Sequence, residues 1–234
     1  MIITALTQFT ATDFPGRLAC ILFSGGCSLR CGFCHNAEFV LPERLKELTQ
    51  TIPFENVLAF LKQRKGMLDG VVFCGGEPTI NADLLEKMKA VKDLGFQVKL
   101  DTNGTNPLML ERALEQGLVD YIAMDLKDAL PYREKLVGRL IDADTIKRSI
   151  GLVKGSGVEY EFRSTILPSF HDLTTLRQMG HAIRGVDKWV LQGFRNIKTL
   201  SGDFNGLAGF ENTELQALTK TLAEFAKVVE CRPA

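Results

Sequence analysis

Short apolar runs alternate with stretches of helical period over most of the 234 residues. The run 18–23 stops at Gly25-Gly26, and 71–74, 96–100, 119–124, 158–167 and 189–192 repeat the pattern, which predicts buried strands. Between them, 54–61 reads as a helix. Leu84, Leu85, Met88 and Val91 form an apolar stripe behind Asn81, a residue suited to a helix cap. Asn106-Pro107 starts another helix, helical stretches continue to Val153, and 173–183 follows. At the far end Leu215, Leu218, Leu222, Phe225 and Val229 fall on one helical face, predicting a helix over about 212–230 capped by Asn212 or Thr213. About six β–α units argue a parallel sheet. The chain is shorter than the roughly 250 residues of an eight-stranded barrel. The expected fold is α/β, a partial (β/α)6 TIM-like barrel, as a single domain over 1–234 with its core at about 17–195. A doubly wound open sheet is the alternative.

Polar residues recur where these strands end. The first strand runs into Cys27, the second into Gly75-Gly76-Glu77-Pro78, and the third into Asp101-Thr102-Asn103-Gly104. The fourth ends at Asp125-Leu126-Lys127, the fifth carries Arg163, and the sixth ends at Gln192-Gly193-Phe194-Arg195. Parallel α/β folds bind ligands at that edge, so one site built from all six strands is expected.

Charge adds little: 28 basic residues balance 28 acidic ones, which gives no ground for a nucleic-acid or membrane partner. The start, Met1 to Leu6, lacks the basic residues and apolar run of an export signal, and the expected location is cytoplasmic.

Cysteine changes the picture. Three of the six cysteines fall within eight positions, Cys27-Ser-Leu-Arg-Cys31-Gly-Phe-Cys34. Clustered thiols in a reducing compartment indicate metal rather than disulfide. Thiolates are soft ligands that suit iron–sulfur clusters, zinc or copper(I). A four-iron cluster usually takes four cysteines, so three leave one iron open to an outside chelator. Gly25, Gly26 and Gly32 give the backbone room around a bulky group. The competing reading is a zinc-stabilised binding module with His35 as fourth ligand. Cys20 reads as a packing residue, Cys74 as buried with a place near the cluster as its alternative, Cys231 as part of a mobile C-terminus, and His171 and His181 as isolated.

The C-x3-C-x2-C loop after a first strand, with Phe33 before the last cysteine, resembles the radical S-adenosylmethionine (SAM) superfamily. That resemblance implies a [4Fe-4S] cluster on Cys27, Cys31 and Cys34 whose fourth iron is chelated by SAM. One electron then cleaves the sulfonium to methionine and a 5′-deoxyadenosyl radical, with the cofactor carrying the chemistry. Gly75-Gly76-Glu77-Pro78 resembles the superfamily's GGEP motif, which receives the SAM ammonium group. Asp101-Thr102-Asn103-Gly104 and Asp125-Leu126-Lys127 are similar to segments of glycyl-radical-enzyme activases. By that likeness Asp101, Asn103 and Asp125 contact SAM, with a monovalent cation shared by the two aspartates. Lys127 and Arg163 are candidates to neutralise the SAM carboxylate.

Three further stretches, 13–17, 23–27 and Cys34-His35-Asn36, resemble the activases too, most closely the short activating proteins of anaerobic ribonucleoside-triphosphate reductase and then those of pyruvate formate-lyase. The implied reaction removes hydrogen from a glycine Cα of a partner glycyl radical enzyme, anaerobic ribonucleotide reductase. The implied electron donor is a low-potential protein such as flavodoxin or ferredoxin. The formate-lyase activases use a histidine near the sixth strand; this chain has Gln192 and Arg195 there instead. A small-molecule radical SAM enzyme such as 7-carboxy-7-deazaguanine synthase is the alternative within the superfamily.

Overall fold

The computed structural model describes residues 1–48 and 50–233. Its strands are β1 (Ile3–Thr10), β2 (Ala19–Ser24), β3 (Gly70–Gly75), β4 (Gln97–Thr102), β5 (Tyr121–Asp125), β6 (Glu159–Ile166), β7 (Val186–Gly193) and β8 (Ala226–Arg232). The helices are α1 (Ala37–Val40), α2 (Pro42–Glu47), α3 (Phe54–Gln63), α4 (Leu84–Asp93), α5 (Pro107–Glu115), α6 (Glu134–Val137), α7 (Ala143–Lys154), α8 (Leu173–Ala182) and α9 (Asn212–Thr221). The sheet order repeats the chain order, β1 to β8, and is linear. The expected α/β architecture is present. The six expected strands are β2 to β7, and β1 and β8 are additional.

The chain forms two compact units. The first comprises Met1–Ser28, Glu38–Thr102 and Leu108–Ile122. In it β1 runs antiparallel to β2, while β2, β3 and β4 are parallel, with Ala19 opposite Gly70 and Ser24 opposite Gly75. Parallel strands covered on both faces read as continuous apolar runs, and β2 buries Ala19, Cys20, Ile21 and Leu22 in succession. Helix α4 buries Leu84, Leu85, Met88 and Val91, each contributing about 1.5–3 kcal/mol. Asn81 does not cap that helix; its amide donates to the Pro78 carbonyl at 3.0 Å, and Asp83 precedes the first turn. Asp120 fixes the approach to β5: it accepts from the Val98 N–H at 2.8 Å and pairs with Lys92 of α4 at 2.7 Å.

The second unit is formed by the described residues of Leu29–Ala37, Asn103–Pro107 and Ala123–Ala234. Here β6, β7 and β8 are parallel. Trp189 of β7 is fully buried and donates its indole N–H to Ser164 of β6 at 3.0 Å, which satisfies the one polar atom of the ring. Helix α7 is capped by Asp142, which accepts from the Asp144 and Thr145 N–H groups, and α8 by Asp172, which accepts from Thr175.

The C-terminal helix is a correction. It ends at Thr221 rather than near 230, and Phe225 and Val229 lie beyond it. Its cap is a box formed by Glu211 and Glu214, not Asn212 or Thr213. Residues 226–232 instead pair with β7, from Val186 opposite Ala226 to Gln192 opposite Arg232. The β-branched pair Val228-Val229 suits a strand, and the ladder satisfies backbone groups along a free edge of β7.

Candidate functional site

Each unit gathers part of the predicted set. In the first, β2 leads through Ser24, Gly25 and Gly26 to a half-buried Cys27. The adjacent β3 leads into Gly75-Gly76-Glu77. The two exits are stitched together by backbone: Gly76 N–H donates to Ser24 O and Glu77 N–H to Gly26 O, both at 2.8 Å. The approach is so close that a Cβ on Gly76 would lie 1.8 Å from the Gly26 carbonyl oxygen. Glycine is required there for proximity rather than for dihedral freedom.

Glu77 is 1% exposed, and its Oε1 accepts from Thr79 N–H, Thr79 hydroxyl and Thr102 hydroxyl at 3.2, 2.5 and 2.7 Å. A buried carboxylate is costly unless hydrogen-bonded, and these donors provide that compensation. Thr102 ends β4, so Glu77 ties the second strand exit to the third. On β4 itself, the buried Lys99 pairs with Asp101 at 2.5 Å and lies 5.8 Å from the Tyr121 ring centre.

In the second unit the distal half of the cysteine loop is held on both flanks. Arg30 and Gly32 N–H groups donate to Val137 and Leu136 of α6 at 2.9 and 3.1 Å. Opposite, Ser201 and Leu200 N–H groups donate to the Gly32 and Cys34 carbonyls at 3.0 and 2.9 Å. Phe204 packs so tightly that a Cβ on Gly32 would lie 2.1 Å from its ring. Cys31 is buried and Cys34 half-buried; burial pushes the Cys34 thiol up, partly offset by a backbone hydrogen bond from Asn36 and by Lys127.

Asp125 accepts from Arg163 Nε at 3.0 Å and from Lys127 Nζ at 3.2 Å. Burial raises its pKa, but Arg163 first and Lys127 second outweigh that and hold the carboxyl below the usual carboxylate range. Lys127 Nζ also lies 5.7 Å from the centre of the Phe33 ring, between two of the cysteines. Asn103 is buried, and its carbonyl accepts from the Thr105 N–H and hydroxyl. Gln192, half-buried, stands in register with Thr165 of β6 and Arg232 of β8.

A carboxyl whose folded pKa is depressed stabilises the fold above its unfolded pKa of about 3.9, and that contribution is lost as pH falls through the folded value. Asp125→Asn is therefore expected to lower stability by about 1–3 kcal/mol at pH 7, with the gap to wild type closing below about pH 4. Denaturant titration across pH checks both parts.

His35 is not poised as a fourth ligand. Its Nε2 is 3.0 Å from the Arg195 carbonyl and its ring stacks on Phe194 at 5.7 Å. Among the described residues, no three His, Cys, Asp or Glu side chains are gathered around a single-ion position. A four-iron cluster makes no such demand, since each thiolate binds a different iron. Three soft thiolate donors from one loop fit a four-iron cluster with one iron left open. His35→Ala is expected to leave reconstituted iron content as in wild type, since a residue that does not ligate leaves the thiolate set intact; metal analysis of anaerobic protein checks this.

The reading of His171 as isolated is corrected, and Asp128, Arg133 and Phe204 had no signal in the sequence. His171 is fully buried: its Nδ1 accepts from Leu167 N–H and its Nε2 lies 3.0 Å from the Lys127 carbonyl. No local pattern announces a lone histidine in a connection.

The model of the "Radical SAM superfamily" matches residues 21–177, about two thirds of the chain. This chain belongs to the radical SAM superfamily. As a radical SAM protein it is an enzyme, and the superfamily implies a [4Fe-4S] cluster and SAM. It is 29% identical to a Methanocaldococcus jannaschii protein named, provisionally, a glycyl-radical enzyme activating enzyme, over 99% of this chain and 95% of that one. It is 26% identical to the pyruvate formate-lyase-activating enzyme of Clostridium pasteurianum, over 79% of this chain and 76% of that one. The fold recurs in Streptococcus suis SuiB with a TM-score of 0.64 and 16% identity, covering 92% of this chain and 48% of SuiB. No described helix is long and apolar enough to cross a membrane.

Proposed function

We propose that this enzyme activates a glycyl radical enzyme, binding a [4Fe-4S] cluster at Cys27, Cys31 and Cys34. One observation carries the reading: similarity to the Methanocaldococcus jannaschii protein runs over 99% of the chain, well past the superfamily core at 21–177. A likeness to the shared core alone would fit any radical SAM enzyme. When bound, the cluster and SAM supply a carbon-centred radical able to take a hydrogen atom from a glycine Cα.

The chain's own residues would hold the cofactor. The Gly75-Gly76 backbone with Glu77 would take the SAM ammonium group. Lys127 and Arg163 would take its carboxylate, sharing their charge with Asp125. Phe33, Asp101, Asn103 and Gln192 complete the proposed contacts. The proposed monovalent cation near Asp101 and Asp125 has protein competitors: Lys99 already pairs with Asp101, and Arg163 and Lys127 with Asp125.

The proposed partner is anaerobic ribonucleotide reductase, with flavodoxin or ferredoxin as electron donor. Gln192, in place of an activase histidine, favours this partner over formate-lyase. Anaerobic reconstitution with iron, sulfide, reductant, SAM and candidate partners tests the proposal. A glycine-centred doublet in the electron paramagnetic resonance spectrum of one partner is the expected result. Turnover of a small molecule with no doublet in any partner would overturn it.

A further inference from the structure

We propose that His171 is a positioning residue for Lys127, holding by its buried imidazole the backbone from which that lysine reaches Phe33 and Asp125. The inference rests on the proposed role of Lys127 toward SAM.

The geometry assigns the tautomer. Leu167 N–H can only donate, so the His171 Nδ1 facing it at 3.0 Å carries no proton. The proton of the neutral ring is therefore on Nε2, which donates to the Lys127 carbonyl at 3.0 Å. Burial pushes His171 down, outweighing these backbone bonds and Asp128, and keeps the ring neutral. One side chain thus bridges the β6–α8 connection to the residue two places beyond the end of β5.

A second brace crosses the first. The buried Asp128 accepts from Arg133 through two guanidinium contacts of 2.6 Å, and the same guanidinium donates to the Phe170 carbonyl at 2.5 Å. Lys127-Asp128 and Phe170-His171 are therefore tied together twice. Phe170 in turn stacks on Phe204 at 5.4 Å and 11°, and Phe204 is the ring pressed against Gly32 and 6.4 Å from Phe33. The connection supports both Lys127 and the cysteine loop that Lys127 faces. A loop needing only cohesion has the Arg133 clamp already; the imidazole adds direction to Lys127.

Two substitutions separate these roles. His171→Asn keeps an acceptor near the Nδ1 position for Leu167 but is too short to reach the Lys127 carbonyl. His171→Gln keeps a donor near the Nε2 position and leaves Leu167 N–H without its acceptor. SAM dissociation constants are measured by equilibrium dialysis on anaerobically reconstituted protein matched for iron content, alongside thermal unfolding. His171→Asn is expected to weaken SAM binding about three- to tenfold, the weight of one hydrogen bond. His171→Gln is expected to stay within about twofold while unfolding at a lower temperature than His171→Asn. Weakening of both variants in step with lost stability, or of neither, overturns the proposal. Lys127→Met is the control: if it binds SAM as wild type does, the role of Lys127 is what fails, and the proposal with it. If Lys127→Met binds poorly and His171→Asn normally, the positioning role alone is lost.

Discussion

Cys31→Ala protein, reconstituted anaerobically with iron and sulfide, is expected to hold no intact four-iron cluster and to cleave no detectable SAM. Cys27→Ala and Cys34→Ala should behave alike, because a cluster already short of one protein thiolate has none to spare. The contrast is with Cys20. It sits inside β2 at 0% exposure, and burial pushes its thiol up to about 12, so it stays protonated and apolar at neutral pH. Cys20→Ala should therefore lose stability through a small cavity yet keep full iron content. Iron and sulfide analysis with the absorbance of the anaerobic protein distinguishes the two classes. Full SAM cleavage by any one of the three loop variants would contradict the ligand assignment.

Gly76→Ala is expected to be strongly damaging for a single added methyl. Its Cβ would sit 1.8 Å from the Gly26 carbonyl oxygen, which itself accepts from Glu77 N–H. Neither partner is the end of a flexible side chain, so the two strand exits must separate. Overpacking and the loss of one or two backbone bonds together cost about 3 kcal/mol or more. In a chain of this size that corresponds to a fall of about 6–12 °C in Tm. SAM binding should fail as well, since the displaced turn carries Glu77. Gly151→Ala in α7 is the control: nothing lies within 4 Å of the added methyl, and alanine in a helix gains roughly 0.5–1 kcal/mol over glycine. Thermal unfolding of the two variants should move in opposite directions, and a Gly76→Ala protein as stable as wild type would refute the close-approach argument.

Most of the strands β2 to β7 were legible because they hold a buried apolar run closed by glycine or a polar cluster, a pattern local to a few residues; β6, with Glu159, Glu161 and Arg163, is the exception. The cysteine spacing and the Gly75-Gly76-Glu77 turn were legible for the same reason. The C-terminal segment was not, and its failure is instructive. Leu215, Leu218, Leu222, Phe225 and Val229 satisfy helical spacing throughout, yet α9 stops at Thr221 and β8 begins at Ala226. What decides is the open edge of β7, a partner more than thirty residues away that no local period reports. The bonds around Glu77, Asp125 and His171 were hidden similarly. Thr102 lies 25 residues from Glu77, and Lys127 lies 44 from His171. Residue types nominate candidates for chemistry, but only the tertiary fold supplies the donors that hold them.

The two backbone ladders flanking Gly32 bear on how the enzyme matures. A zinc finger collapses without its ion because the ion is most of its core. Here peptide groups from α6 and from residues 200–201 bond to the distal cysteine segment, so part of its form is set by the chain itself. Loss of a cluster from the proposed site should therefore leave that part of its cradle in place.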